Sequence, residues 1–136
     1  MYSIFETEIT IRPDDIDMNN HLHSAKYQDY LFMARYQQMK NNYNVSMEFF
    51  IEQGYSWVVS EFAIQYKRPI TFHEGTVKVK TQVKEIKGAN VVVNFWILKA
   101  ENDKIAAQGS TTYTMISIKT ARATSIPKQL IHYYEI

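Results

Sequence analysis

Ten consecutive residues concentrate reactive side chains at one place in this chain: Asp15-Ile16-Asp17-Met18-Asn19-Asn20-His21-Leu22-His23-Ser24. They supply two carboxylates, two amides, two imidazoles and a hydroxyl, and then run directly into a strongly apolar segment. An unperturbed Asp titrates near ~3.9, so either carboxylate is ionised at neutral pH. Such a group suits a base that activates water, or a nucleophile, and does not suit an acid. Taken alone, Asp15 and Asp17 also read as turn residues that complement the dipole of a following helix. His21, His23 and Asp17 are metal-ligand types, but two imidazoles two residues apart in an irregular loop are weak grounds for a metal site. His73 and His132 read as surface or packing residues.

The element that must position these groups is the segment that follows. Residues 24–42 carry the helical spacing, with Ser24 as a candidate N-cap. Tyr27, Tyr30, Leu31 and Ala34 recur on one face, and Phe32, Tyr36, Met39 and Tyr43 form a second stripe on the opposite side. A helix apolar over most of its circumference is expected to be buried. At 1.5 Å per residue it would be about 28 Å long, the central rod of a small domain. Polar groups at the mouth of such a rod lie where a core meets a cleft.

The chain has 136 residues, 46% of them hydrophobic and 21% charged, with a net charge of +1. One domain spanning 1–136 is expected. The near-neutral balance argues against a broad nucleic-acid footprint. Absence of Cys excludes disulfides, thiolate catalysis and cysteine-ligated metals. No signal peptide and no apolar run of membrane-spanning length is visible, so the expectation is a cytoplasmic protein with no membrane span.

Residues 7–12 alternate as a half-buried strand, closed by Pro13. Residues 46–53 read as a short second helix capped by Ser46 and stopped by Gly54. Four strands follow, over residues 56–66, 76–86, 91–100 and 105–119, joined mainly by tight turns. Residues 91–100 are apolar on both faces and so read as buried on both sides. Gly109 marks a bulge or a close backbone approach. The tail, 120–136, shows no firm period. The order predicts an α+β fold, an antiparallel curved sheet of about five strands wrapped around one long helix. A two-faced strand with a single helix to cover it points to a second copy of the chain.

The run from Asp15 to His21, with Tyr27 ten residues after Asp17 and Ala34-Arg35 further on, resembles the hotdog-fold thioesterases. The likeness is greatest to the branch of 4-hydroxybenzoyl-CoA, acyl-CoA and acyl-ACP thioesterases; Tyr66-Lys67-Arg68-Pro69 and Gly109-Ser110-Thr111-Thr112-Tyr113 fit the same family. The resemblance implies a hotdog domain and hydrolysis of an acyl thioester of coenzyme A or an acyl carrier, within fatty acid metabolism. It needs no metal or other cofactor. It implies a homodimer or homotetramer with active sites between subunits.

Carried over by position, the catalytic carboxylate falls on Asp17, while Asp15 stays structural. Asn19 and His21 match the catalytic set of the acyl-ACP branch, although His21-Leu22-His23-Ser24 stands where that branch has His-Val-Asn-Asn. The amide near Ser24, at the positive end of the helix, is the implied oxyanion donor. Asn19 would orient water, and His21 would hold Asp17 or shuttle a proton. Tyr27 would contact substrate. Lys67 and Arg68 would meet phosphates, or else are merely solvated strand-end residues. A helical catalytic Glu found in another branch has no equivalent here, and Glu61, on a strand, is not assigned to it. Two other functions fit the same fold: a hydratase or dehydratase of enoyl or hydroxyacyl thioesters, and a non-enzymatic acyl-CoA-binding module.

Overall fold

The computed structural model describes residues 2–136. Five antiparallel strands, β1 (Ile4–Thr10), β2 (Tyr55–Tyr66), β3 (Thr76–Lys87), β4 (Asn90–Lys99) and β5 (Ile105–Ser117), form one sheet in the order β1-β3-β4-β5-β2. Three helices accompany them: α1 (Tyr27–Asn41), α2 (Met47–Glu52) and α3 (Lys128–Ile131). Period-two patterning fixes the sheet's faces. Val77, Val79, Thr81 and Val83 of β3 are buried while the intervening lysines point outward. Gly88, at φ 61°, makes the tight turn from β3 to β4.

The helix α1 lies on the inner face of the sheet. Tyr27, Tyr30, Leu31 and Ala34 pack with Val77, Val79, Phe95 and Ile97 in one cluster, and Met39 and Tyr43 pack with Phe50, Val83, Val93 and Met115 in a second. Between the clusters sits Gln38, fully buried. It accepts from the Thr81 hydroxyl and donates to Thr7 Oγ1 at 2.9 Å, so one amide ties α1 to both β1 and β3. This architecture is the α+β arrangement expected from the sequence.

Four details differ from those expectations. The first strand starts three residues earlier and ends at Thr10. The long helix begins at Tyr27, after a separate 3₁₀ turn over Ser24–Lys26, and its 15 residues span about 22 Å. Its second apolar stripe is only half enclosed: Met39 and Tyr43 are buried in the second cluster, but Phe32 is 53% exposed and Tyr36 39%. A single sheet can cover only one face of a helix, and the first half of this stripe stays open. Finally, β4 is not sealed on both sides. Its outer face carries Val92, Asn94 and Trp96, all half-buried, between Lys80 and Gln82 on β3 and Gln108 and Ser110 on β5. Long polar neighbours cover that face partly, so it does not by itself require a second chain. The tail, patternless in sequence, folds back through α3 and buries Ile126, Leu130 and Tyr134 in the second cluster.

Candidate active site

The loop between β1 and α1 is fixed by its own backbone and by a neighbouring segment. Asp17 N–H donates to His21 O at 2.8 Å, and Asn20, at φ 61°, turns the chain so that its own N–H donates to Asp17 O at 3.0 Å. Leu22 N–H donates to Ile70 O at 2.7 Å, and His21 bridges to Thr71. That second segment is itself clamped. Lys99 Nζ donates to Pro69 O at 2.6 Å and to Glu74 Oε2 at 2.8 Å, while Thr71 and Glu74 close a capping box.

The two aspartates have separate tasks. Asp15 is buried, and its Oδ2 accepts from Tyr30 Oη at 2.7 Å and Arg12 Nε at 2.8 Å. Burial raises its carboxyl, but the Tyr30 and Arg12 donors outweigh that and hold it below the usual range. It anchors the loop to α1. Asp17 is half-buried, and its Oδ1 accepts two backbone hydrogen bonds, from Asn19 N–H at 2.9 Å and His21 N–H at 3.0 Å. The His21 amide contributes most to holding this carboxyl low, partial burial opposes it, and the Asn19 amide adds to the lowering. Among the described residues, Asp17 Oδ2 has no hydrogen-bond partner.

Asp17 lines an open crevice together with His21, His23, Ser24, Tyr27, Tyr66, Lys67 and Arg68. Ser24 is not the N-cap. His23 takes that place, its Nδ1 accepting from Ala25 N–H at 3.1 Å. Among the described residues, Ser24 N–H is left without an acceptor at the start of the turn that leads into α1. Tyr66 Oη donates to Ser24 O at 2.8 Å, and its ring meets the Tyr27 ring edge-on at 5.1 Å. Burial pushes the Tyr27 phenol up to about 12, so it is a neutral donor across the physiological range.

The backbone amides of Lys67 and Arg68 both donate to Ala106 O, which turns the chain at the end of β2. Arg68 also spends a guanidinium donor on Ile105 O at 2.7 Å, whereas Lys67 Nζ has no partner among the described residues. The Asn19 side chain is exposed and does not line the crevice; only its backbone reaches Asp17. His73 and His132 are exposed, and Glu61 is exposed on β2 beside a bulge. No cluster of three or more His, Asp or Glu suited to a metal occurs among the described residues. No helix among them is long and apolar enough to cross a membrane.

Sequence reasoning passed over three supports of this crevice. Thr71-Phe72-His73-Glu74 carries the Thr-x-x-Glu spacing of a capping box, so it was visible. The Tyr66 hydrogen bond to Ser24 and the Lys99 clamp join positions 42 and 30 residues apart, and no local pattern marks them.

An open five-stranded antiparallel sheet with one long helix on its inner face, carrying a carboxylate loop at the start of that helix, is a hotdog domain. The profile of the thioesterase-like superfamily matches residues 11–132, and the chain belongs to that family. It is 22% identical over 125 residues to the long-chain acyl-CoA thioesterase FadM of Escherichia coli, covering 92% of each chain. Among solved structures, the DHNA-CoA thioesterase of Staphylococcus aureus superposes with a TM-score of 0.86 at 22% identity, over 97% of this chain and 87% of that one. The protein SAV2348 of Staphylococcus aureus, solved in complex with CoA, superposes with a TM-score of 0.82 at 19% identity, over 99% of this chain and 86% of that one.

Proposed function

We propose that this chain hydrolyses an acyl-CoA thioester to the free acid and the CoA thiol. One observation carries the reading: Asp17 has one oxygen held by two backbone amides and the other unpartnered, in a crevice shared with the unpaired amide of Ser24. Asp17 drives the attack on the carbonyl by one of two routes. Its Oδ2 adds directly and expels the thiolate, leaving an anhydride that water then opens, or it takes the proton of a water that adds instead. Both routes consume one water and need an ionised Asp17. The Ser24 amide and the dipole of α1 stabilise the oxygen that becomes anionic. Asn19 and His21 hold the carboxylate through their backbone amides, and Tyr27 contacts the acyl end of the substrate. The names of FadM and of the DHNA-CoA thioesterase, and the CoA bound to SAV2348, favour coenzyme A over an acyl carrier protein and with it a cytoplasmic setting.

Dimerisation belongs to the same reading. Exposed apolar groups lie on the outer stripe of α1 (Phe32, Tyr36) and on the 12-residue edge strand β2 (Val58, Val59, Tyr66), among other places. An unpaired edge of that length is a template for a second chain. Pairing there would place the crevice, which includes Tyr66, Lys67 and Arg68, beside the neighbouring subunit.

A thiol-release assay over saturated acyl-CoAs of several lengths tests the reading. Release in wild type excludes both a hydratase acting alone and a pure binding module. No release from any saturated thioester sinks it. Because the Asp17 carboxyl is held low, its active, ionised form persists as pH falls. The acid limb of kcat/KM is expected below roughly pH 4, with a flat profile from about pH 5 to 7. An inflection inside that plateau would assign rate control to another group. Lys67, whose Nζ has no partner among the described residues, should meet a CoA phosphate. Lys67→Ala should raise KM for acyl-CoA roughly three- to fivefold, as expected for an exposed ion pair, and leave the KM of the matching acyl-pantetheine unchanged.

A further inference from the structure

A second cleft opens on the far half of α1, away from the Asp17 loop, and at its floor lies an unpaired guanidinium. Arg35 is 6% exposed. Among the described residues one of its terminal nitrogens donates to the Met39 sulfur at 3.3 Å, a weak acceptor, and the other has no partner within hydrogen-bond geometry. The charge still acts on the nearby Tyr113 phenol: burial raises that phenol, and Arg35 opposes the rise. The Tyr43 and Tyr113 rings lie 5.4 and 5.9 Å from its central carbon. No carboxylate forms an ion pair with it among the described residues.

Arg cannot shed its charge, and a buried charge without a counter-ion is strongly unfavourable through lost hydration. The neighbouring polar groups repeat the deficit. The buried Tyr43 hydroxyl and Trp57 Nε1 also lack partners among the described residues; the Tyr43 ring flanks the guanidinium and Trp57 lines the same cleft. The walls of that cleft are Phe32, Met47 and Val91, and its rim is half-exposed Phe32 and Tyr36.

We propose that this cleft binds an amphipathic carboxylate, with its carboxylate on Arg35 in an enclosed space of about 30 Å³ and its hydrocarbon running out over the exposed Phe32 and Tyr36. The unpartnered terminal nitrogen leaves donors of the guanidinium fork on offer, and a carboxylate is the acceptor that such a fork matches. No second cation lines the cleft to neutralise a phosphate dianion. The carboxylate has two sources: a free acid, such as the product of the hydrolysis proposed above, or the distal carboxyl of an acyl chain whose thioester sits at Asp17. Only the second source rests on the thioesterase reading.

The test compares decanoate with decanol, which has the same hydrocarbon and no charge. Trp96 lies on the outer face of β4, so in a Trp96→Phe protein Trp57 is the one remaining tryptophan and its emission reports the cleft. Decanoate should change that emission saturably at a concentration at least tenfold below decanol. In the same background Arg35→Met should remove the advantage, and Arg35→Lys, which keeps the charge without the fork, should fall between. Should Arg35→Met not fold, the decanoate–decanol comparison on intact Arg35 still decides. Equal binding of the two ligands, binding of neither, or full affinity in folded Arg35→Met overturns the proposal. A change of oligomeric mass in Arg35→Met without any carboxylate binding overturns it too, and gives the guanidinium a partner on a second copy.

Thiol release then separates the sources. A distal carboxyl predicts kcat/KM for decanedioyl-CoA at least tenfold above decanoyl-CoA, a preference lost in Arg35→Met. A free acid predicts no such preference and inhibition by decanoate. If neither thioester is cleaved while decanoate binds, the hydrolase reading fails and the carboxylate site stands.

Discussion

Asp17→Asn is expected to lower kcat for acyl-CoA hydrolysis by ~10²–10⁴-fold, the usual weight of a positioned acid–base group, with KM little changed. The substitution is clean because of how the loop is built. Oδ1 of Asp17 accepts from the Asn19 and His21 amides, and an asparagine carbonyl oxygen can accept both of these bonds. The loop therefore stays in place while the second oxygen, to which the proposed chemistry falls, is replaced by an amide nitrogen that cannot attack or take a proton. Asp15→Asn makes an informative contrast. It weakens the Arg12 and Tyr30 contacts of a buried group and should act on stability first. Thiol release under saturating substrate, with bound acyl-CoA measured separately, checks both. Retained turnover in Asp17→Asn would remove the carboxylate from the mechanism. Equal loss of binding and turnover would make it a substrate-holding group.

Much of this architecture was legible because its signals are local. The alternation of Val77, Val79 and Val83 against lysines, the cap at Ser46 (whose hydroxyl accepts from Phe49 N–H at 3.1 Å) and the turn at Gly88 each follow from a few neighbouring residues. The position of Asp17 was legible through its spacing to Tyr27. Pairing order was legible only for the hairpins β3-β4 and β4-β5; that β1 joins β3 and β2 joins β5 is settled by contacts far apart in sequence. The tail failed for a different reason. Its helix α3 is four residues long, too short to show any period, yet Leu130 and Tyr134 close the second core cluster. Arg35 was hidden most completely. An arginine in a helix reads as solvated, and only the fold shows it enclosed by aromatic rings with nothing to pair.

Gly109→Ala is expected to cost about 3 kcal/mol, at the upper end for overpacking a closed site, and to lower Tm by roughly 10 °C. The reason is space. A Cβ at Gly109 would fall 1.9 Å from Ala63 O, 2.9 Å from Ala63 C and 3.0 Å from Ile64 Cα, all backbone atoms that cannot swing aside. Its backbone needs no glycine conformation, unlike Gly88, where φ is 61° and the space is open. Gly88→Ala should therefore cost only about 1–2 kcal/mol of left-handed strain. The two glycines differ in consequence as well as cost. Relief at Gly109 must push β2 away from β5, and β2 ends at Tyr66, whose hydroxyl holds Ser24 O, followed by the crevice residues Lys67 and Arg68. The Gly109→Ala protein that does fold should thus show a raised KM for acyl-CoA, whereas Gly88→Ala, at the opposite end of the sheet, should lose stability with KM unchanged. Thermal unfolding and steady-state kinetics on the pair decide the matter: wild-type Tm in Gly109→Ala would mean that β2 and β5 do not approach this closely, and the route from that contact to the Ser24 turn would be lost with it.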